Sequence, residues 1–166
     1  MVKISHIILA IILIIGVTAT GCTAGQGAKN GDTVQVNYTG KLADGTVFDS
    51  SVGREPLEFK LGAGAVVPGF DKAVRGMKVG EKKTVTIPAK DAYGTHNNSL
   101  IEEVSRQKLP SGFEPEVGSQ LQKIHSDGQA RIYTITKVTD TTVTLDANHP
   151  LAGKDLTFEI ELVKIQ

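Results

Sequence analysis

The sequence predicts an α+β fold: a curved antiparallel β-sheet, a half-barrel, wrapped on one short helix, with a small β-rich subdomain inserted in it. Three observations predict this. Short segments of alternating apolar and polar residues lie early and late in the chain, only one stretch has helical spacing, and the 64 residues between Tyr93 and Phe158 carry strand signals of their own. Several strands and a single helix leave a sheet curled over that helix as the way to bury both apolar faces.

The elements follow in order. Residues 33–38 alternate, with Val34, Val36 and Tyr38 on one face, as a half-buried strand does. Asp44-Gly45 signals a turn, after which Val47, Phe48 and Asp49 return as a strand edge. Leu57, Phe59 and Leu61 alternate again before Gly62 and Gly64. Pro68 suits a first helical turn because its missing N–H is no loss there; Phe70 and Val74 lie four apart, and Gly76 suits the stop. The helix spans about two turns. Residues 82–87 form a strand ended by Pro88, and residues 156–162 alternate so regularly that they make the clearest strand of all.

Between these flanks, residues 129–138 and 142–146 are rich in Thr, Ile and Val, and Ser126-Asp127-Gly128 reads as a hairpin turn. Residues 100–109 fit a strand or a short helix equally. A structureless loop of this length is anomalous in a compact domain, so the segment is expected to be a subdomain of sequential hairpins with its own core. Its apolar residues Leu121, Ile124, Ile132, Tyr133, Ile135, Val138, Val143 and Leu145 exceed what two hairpins readily bury.

With 166 residues the chain has the size of one domain carrying an insertion. Lys plus Arg and Asp plus Glu both total 18, and Trp is absent, so neither a basic field nor stacking platforms for nucleic acid are present. Lys3 precedes an apolar run over residues 7–17, which is followed by small residues and Cys22. As a helix this run rises about 16 Å, well short of the roughly 30 Å of a bilayer core, and it reads as a secretory signal. Cys22 is the only cysteine, so an intrachain disulfide is excluded. A-T-G-C resembles a lipobox, in which the cysteine carries the lipid anchor, although Ala19 stands where that pattern usually has Leu. The alternative is ordinary cleavage near Ala19 and a secreted soluble product.

The motifs G-T-V-F-D-S, L-G-A-G-A-V-V-P-G-F-D-K-A-V-R-G-M-K-V-G-E and N-H-P-L-A-G-K-D-L-T-F-E-I-E-L together resemble the FKBP-type peptidyl-prolyl isomerases, in the SlyD-like branch with a domain inserted in the flap. The organisation implied is a signal peptide over 1–21, a tether over 22–31, an isomerase domain over 32–95 and 147–166, and a chaperone-like flap domain over 96–146. The resemblance implies that Tyr38, Phe48, Asp49 and Tyr93 serve catalysis and that Phe59, Val66, Val67, Phe70 and Phe158 complete a proline pocket, with Phe70 at a floor position often held by Trp. It also implies that the Val67 N–H and the Tyr93 hydroxyl each contact a substrate carbonyl.

The implied partners are unfolded or proline-containing polypeptides, met by a monomer attached to a membrane through Cys22. No cofactor is implied, and no metal, since His6, His96, His125 and His149 are scattered without ligand spacing. Taken singly, each pocket residue could be ordinary core or turn structure. A holdase without catalysis on the same fold, or a small-molecule-binding lipoprotein, are the rival readings.

Overall fold

The computed structural model describes residues 25–124 and 128–166. The signal-like run, Cys22, His6, His125 and most of the Ser126-Asp127-Gly128 turn lie outside the described residues. Nine strands and one helix follow one another among the described residues: β1 (Thr33–Lys41), β2 (Val47–Ser50), β3 (Leu57–Lys60), α1 (Pro68–Val74), β4 (Lys82–Ile87), β5 (Ile101–Ser105), β6 (Gln120–Ile124), β7 (Ala130–Val138), β8 (Thr142–Asp146) and β9 (Leu156–Ile165).

The first sheet is antiparallel in the order β2-β1-β9-β4, with β3 pairing the first half of β1 on the edge whose second half pairs β2. Both long strands exceed their expected length. β1 continues to Lys41 because β9 pairs it along its whole course, from Val34↔Ile165 to Lys41↔Thr157. One face of this sheet is dry: Val34, Val36, Leu156 and Leu162 are fully buried against Phe70 and Val74 of α1. Each such side chain contributes roughly 1.5–3 kcal/mol relative to exposure.

The helix is held at both ends. Pro68 takes its first turn, and Gly76 adopts φ +81 just beyond it, a conformation that costs a side chain dearly. Asp71, only 4% exposed, accepts from the Gly62 N–H at 2.7 Å and from Arg75 Nε at 2.6 Å, so one buried carboxylate joins the β3–α1 loop to the helix.

The expected tether over 22–31 is corrected from Gly27 onward. Ala28 is 3% exposed, and it exchanges two hydrogen bonds with the turn after the helix, Ala28 N–H to Met77 O at 2.8 Å and Gly76 N–H to Ala28 O at 2.7 Å. Small size is what permits this, since a Cβ on Gly27 would stand 2.3 Å from Gly76 O. Small residues here mark close backbone approach as well as flexibility.

Residues 101–146 form a second antiparallel sheet, β5-β8-β7-β6, over a core of Tyr133, Ile135, Val143 and Leu145. The ambiguous stretch 100–109 is both things in turn: short 3-10 turns at Asn98–Leu100 and Arg106–Lys108 bracket the strand β5. The expectation of sequential hairpins is corrected in one respect. β6, β7 and β8 are neighbours in sequence, but β5 pairs with β8, Ile101↔Asp146 through Ser105↔Thr142, so the sheet joins the two ends of the segment.

The connecting segments are laced together. Asn97 N–H donates to Asn148 Oδ1 at 2.9 Å, Asn148 Nδ2 donates to Asn97 O at 3.0 Å, and His96 Nε2 lies 2.8 Å from Asp146 Oδ2.

Replacing Asp71 with Ala strands the Gly62 amide and removes the partner of Arg75, a loss of about 1–3 kcal/mol. Urea unfolding should show the midpoint fall with an unchanged m value; an unshifted midpoint would contradict the role given to Asp71.

Candidate active site

The dry face of the first sheet is not filled completely by α1, and the remainder is a cup of about 460 Å³. Tyr38 from β1, Phe48 and Asp49 from β2, Val66 and Val67 from the approach to α1, Phe70 from α1, Tyr93 and Phe158 from β9 all line it. Eight of the nine pocket residues inferred from sequence therefore meet there. Phe59 does not line the cup; it is 5% exposed and stands behind the floor, its ring 5.9 Å from that of Phe70. Leu57, two residues earlier on β3, takes a place in the wall together with Gly64 and Ala65.

Strand register explains the convergence. Tyr38 and Gly40 share a face of β1, and Gly40 sits opposite Phe158 of β9 and opposite Asp49 of β2. A Cβ at Gly40 would lie 2.6 Å from the Phe48 ring and 3.0 Å from that of Phe158, so a bare backbone is what lets the two rings close over the strand. Phe158 meets Phe70 at 5.1 Å and 77° and Phe48 at 5.7 Å and 89°, and Tyr38 meets Phe70 at 5.8 Å and 81°. Such edge-to-face contacts satisfy the ring quadrupoles and fix each ring's plane. The floor is a rigid aromatic corner.

Polar groups are confined to the rim. The Tyr38 hydroxyl donates to Asp49 Oδ2, while Asp49 Oδ1 accepts from Arg54 Nη2 at 2.8 Å and from the Ser50 N–H at 2.9 Å. The Tyr38 hydrogen bond, aided by Arg54 and the Ser50 amide against partial desolvation, holds the Asp49 carboxyl below the usual carboxylate range. Burial, followed by the hydrogen bond to Asp49, pushes the Tyr38 phenol up to about 12. The pair is thus one neutral phenol and one carboxylate through the neutral range. Arg54 was not among the residues singled out from sequence; its signal is its place five residues after Asp49 in the S-V-G-R turn, which only the folded turn makes meaningful.

Two donors at the cup have no partner among the described residues. The Val67 amide gives no hydrogen bond to a backbone carbonyl, its own carbonyl instead accepting from Phe70 at 3.0 Å. Tyr93 is 39% exposed, with its ring stacked on His149 at 4.0 Å and its hydroxyl unengaged.

A second hollow of about 450 Å³ on the first sheet has walls that include Lys82, Lys83, Glu159 and Glu161, a solvated lining unsuited to keeping an apolar ring dry. Among the described residues no three His, Cys, Asp or Glu side chains cluster as metal ligands would.

Residues 25–163 match the family described as FKBP-type peptidyl-prolyl cis-trans isomerase. The chain is 40% identical over 153 residues to the short-type peptidyl-prolyl cis-trans isomerase of Methanocaldococcus jannaschii, covering 83% of this chain and 94% of that protein. It is 32% identical over 141 residues to the FKBP-type 16 kDa peptidyl-prolyl cis-trans isomerase of Escherichia coli K12, covering 84% and 95%. To the SlyD isomerase of Treponema pallidum it is 36% identical over 133 residues, covering 80% and 75%. An aromatic cup on a sheet curled over one short helix, and relatives that align along most of both chains, lead to one conclusion: this chain belongs to the FKBP-type peptidyl-prolyl cis-trans isomerase family and is an enzyme of that class.

Proposed function

We propose that the chain accelerates rotation about Xaa-Pro bonds in unfolded or partly folded polypeptides, with the cup performing the isomerisation and the second sheet holding the client. The observation that carries the first part is the combination of a dry aromatic floor with donors at the rim that have no hydrogen-bond partner among the described residues.

Rotation must break amide resonance against a barrier of about 18–20 kcal/mol, and no bond is made or cleaved. A catalyst therefore has to favour the twisted amide over the planar one, and about 1.4 kcal/mol of such preference is a tenfold gain. The twisted form has less charge separation, so a cup walled by Phe48, Phe70 and Phe158 that strips water from the bond disfavours the planar form more. The Val67 N–H and the Tyr93 hydroxyl, without hydrogen-bond partners among the described residues, would hold substrate carbonyls on either side and so fix the chain while the proline turns. Asp49 orients Tyr38 and, with Arg54, keeps that side of the rim polar.

Support for client holding comes from the second sheet. A hollow of about 310 Å³ there is lined largely by Val104, Leu109, Phe113, Leu121 and Leu145, and Ile124 and Ile132 are 73% and 62% exposed. The excess of apolar residues counted in the sequence thus divides: Tyr133, Ile135, Val143 and Leu145 are core, while Ile124 and Ile132 are left on the surface. Support for attachment outside the cytoplasm through Cys22 is the lipobox-like A-T-G-C and the apolar run over residues 7–17 before it, which reads as a secretory signal. With Gly27 pinned to the body, that leash would reach about 18 Å at most.

Asp49→Asn keeps the shape but removes the charge that orients Tyr38, and kcat/KM on a proline tetrapeptide should fall about tenfold. Asp49 has a lowered pKa, so its stabilising effect is present above the unfolded value near 3.9 and is lost only as pH falls through the lower folded value. Tyr38 has a raised pKa, so its effect is complete below about 10 and is lost as pH rises through about 12. The ratio of parent to Asp49→Asn activity should then stay constant between about pH 5 and 9; a ratio that bends in this window would refute the assignment.

Ile124→Ser with Ile132→Ser should leave peptide turnover intact while slowing catalysed refolding of a proline-limited protein severalfold. Equal effects in both assays, or none in refolding, would remove the holding role from this surface. For attachment, intact mass of the membrane fraction should show acyl chains on Cys22, and Cys22→Ser should release the protein; a soluble parent with a free thiol contradicts the anchor.

A further inference from the structure

We propose that His149, on the segment returning from the second sheet, is a positioning residue for Tyr93 in the isomerase reaction; the inference rests on the reading of the aromatic cup as the reaction site.

Tyr93 is the odd ring of the cup. Tyr38, Phe48, Phe70 and Phe158 brace one another through edge and tilted contacts. Tyr93 makes none of these contacts, its hydroxyl makes no hydrogen bond among the described residues, and it is 39% exposed. A ring so placed is free to leave its rotamer unless something supports its face. That support is the imidazole of His149, parallel to within 2° at a centroid distance of 4.0 Å.

His149 is itself held firmly. Its Nδ1 accepts the Leu151 N–H at 3.1 Å and its carbonyl accepts the Ala152 N–H at 2.8 Å. Pro150 follows it, which restricts the backbone of residue 149 to extended conformations. Asn148 before it is fixed by Asp146 Oδ1, which accepts from its backbone N–H at 2.8 Å and its Nδ2 at 2.7 Å. On the other side, Gly153 N–H donates to Gly94 O at 2.9 Å, tying the turn that bears His149 to the residue next to Tyr93. A well-fixed flat ring lies against a poorly fixed one, and the poorly fixed one carries the hydroxyl that faces the client. The face of His149 sets the plane of Tyr93, and the hydroxyl's reach follows from that plane.

The hydrogen bond to Leu151 and the stack to Tyr93 are separable by substitution. His149→Asn keeps an acceptor for the Leu151 amide without the ring; His149→Phe keeps a flat ring without the acceptor. With a proline tetrapeptide, His149→Ala should lower kcat/KM about three- to tenfold. His149→Phe should restore most of this and His149→Asn little. In a Tyr93→Leu background, His149→Ala should bring no further loss.

Recovery by His149→Asn rather than His149→Phe, or losses that add in the double variant, would overturn the inference, because the role would then be to shape the turn. Tyr93→Leu at reduced rate with His149→Ala at full rate overturns this inference alone, whereas Tyr93→Leu at full rate overturns the pocket reading with it. Proton NMR of the parent gives a check independent of variant folding: the His149 ring protons should be shifted upfield by the Tyr93 ring current, and resonances at ordinary positions would exclude the stack.

Discussion

The pairing of β1 with β9 is the constraint on which everything else depends. These strands come from the two ends of the described chain, and their register sets Gly40 opposite Phe158 and Tyr38 opposite Ile160. A slip of one residue would put Tyr38 and Phe158 on opposite faces of the sheet and dissolve the cup, because side chains alternate strictly along a strand. The same pairing buries Val34, Val36, Leu156 and Leu162 against α1, so the stability of the fold and the geometry of the site come from one ladder. A register that buries four aliphatic side chains cannot drift without losing them.

That ladder must close across the whole second sheet. The entropic cost of a longer loop grows slowly, about 0.6 kcal/mol per doubling, so an insertion is tolerable in itself. Here it is gentler still, since β5 pairs with β8 and the segment's two ends emerge side by side. Asn97 and Asn148 then bind the two connecting segments to each other. The first sheet meets a short, braced connection, and Tyr93 and His149 are the residues that flank it.

The site divides its labour by solvation. Its floor is aromatic and rigid, its polar groups stand at the mouth, and its single carboxylate is stabilised by three donors, so no uncompensated charge faces the apolar interior. Gly40 makes this compatible with a closed floor by giving the Phe48 and Phe158 rings room over bare backbone. Phe70 in place of a larger indole leaves a cup of about 460 Å³, ample for a proline ring and its neighbours.

Much of this was legible in the order of residues. Alternation marked 33–38 and 156–162 as strands, Pro68 and Gly76 bounded the helix, and the motif set that includes Val47–Ser50 and the residues around Phe70 pointed to the family, because periodicity and turn chemistry are local and act wherever those residues stand. What the sequence could not determine was decided by contacts between distant residues. Phe59 and Leu57 have the same alternation and chemistry, yet only packing against Phe70 puts one behind the floor and the other in the wall. Gly27 and Ala28 have the composition of a flexible tether, and it is the approach of Gly76 that makes them a clamp. The pairing of β5 with β8, the bond from Arg54 to Asp49 and the face of His149 under Tyr93 depend on which surfaces meet once the ladder has closed, and that is settled by burial and register in three dimensions rather than by any residue's local preference.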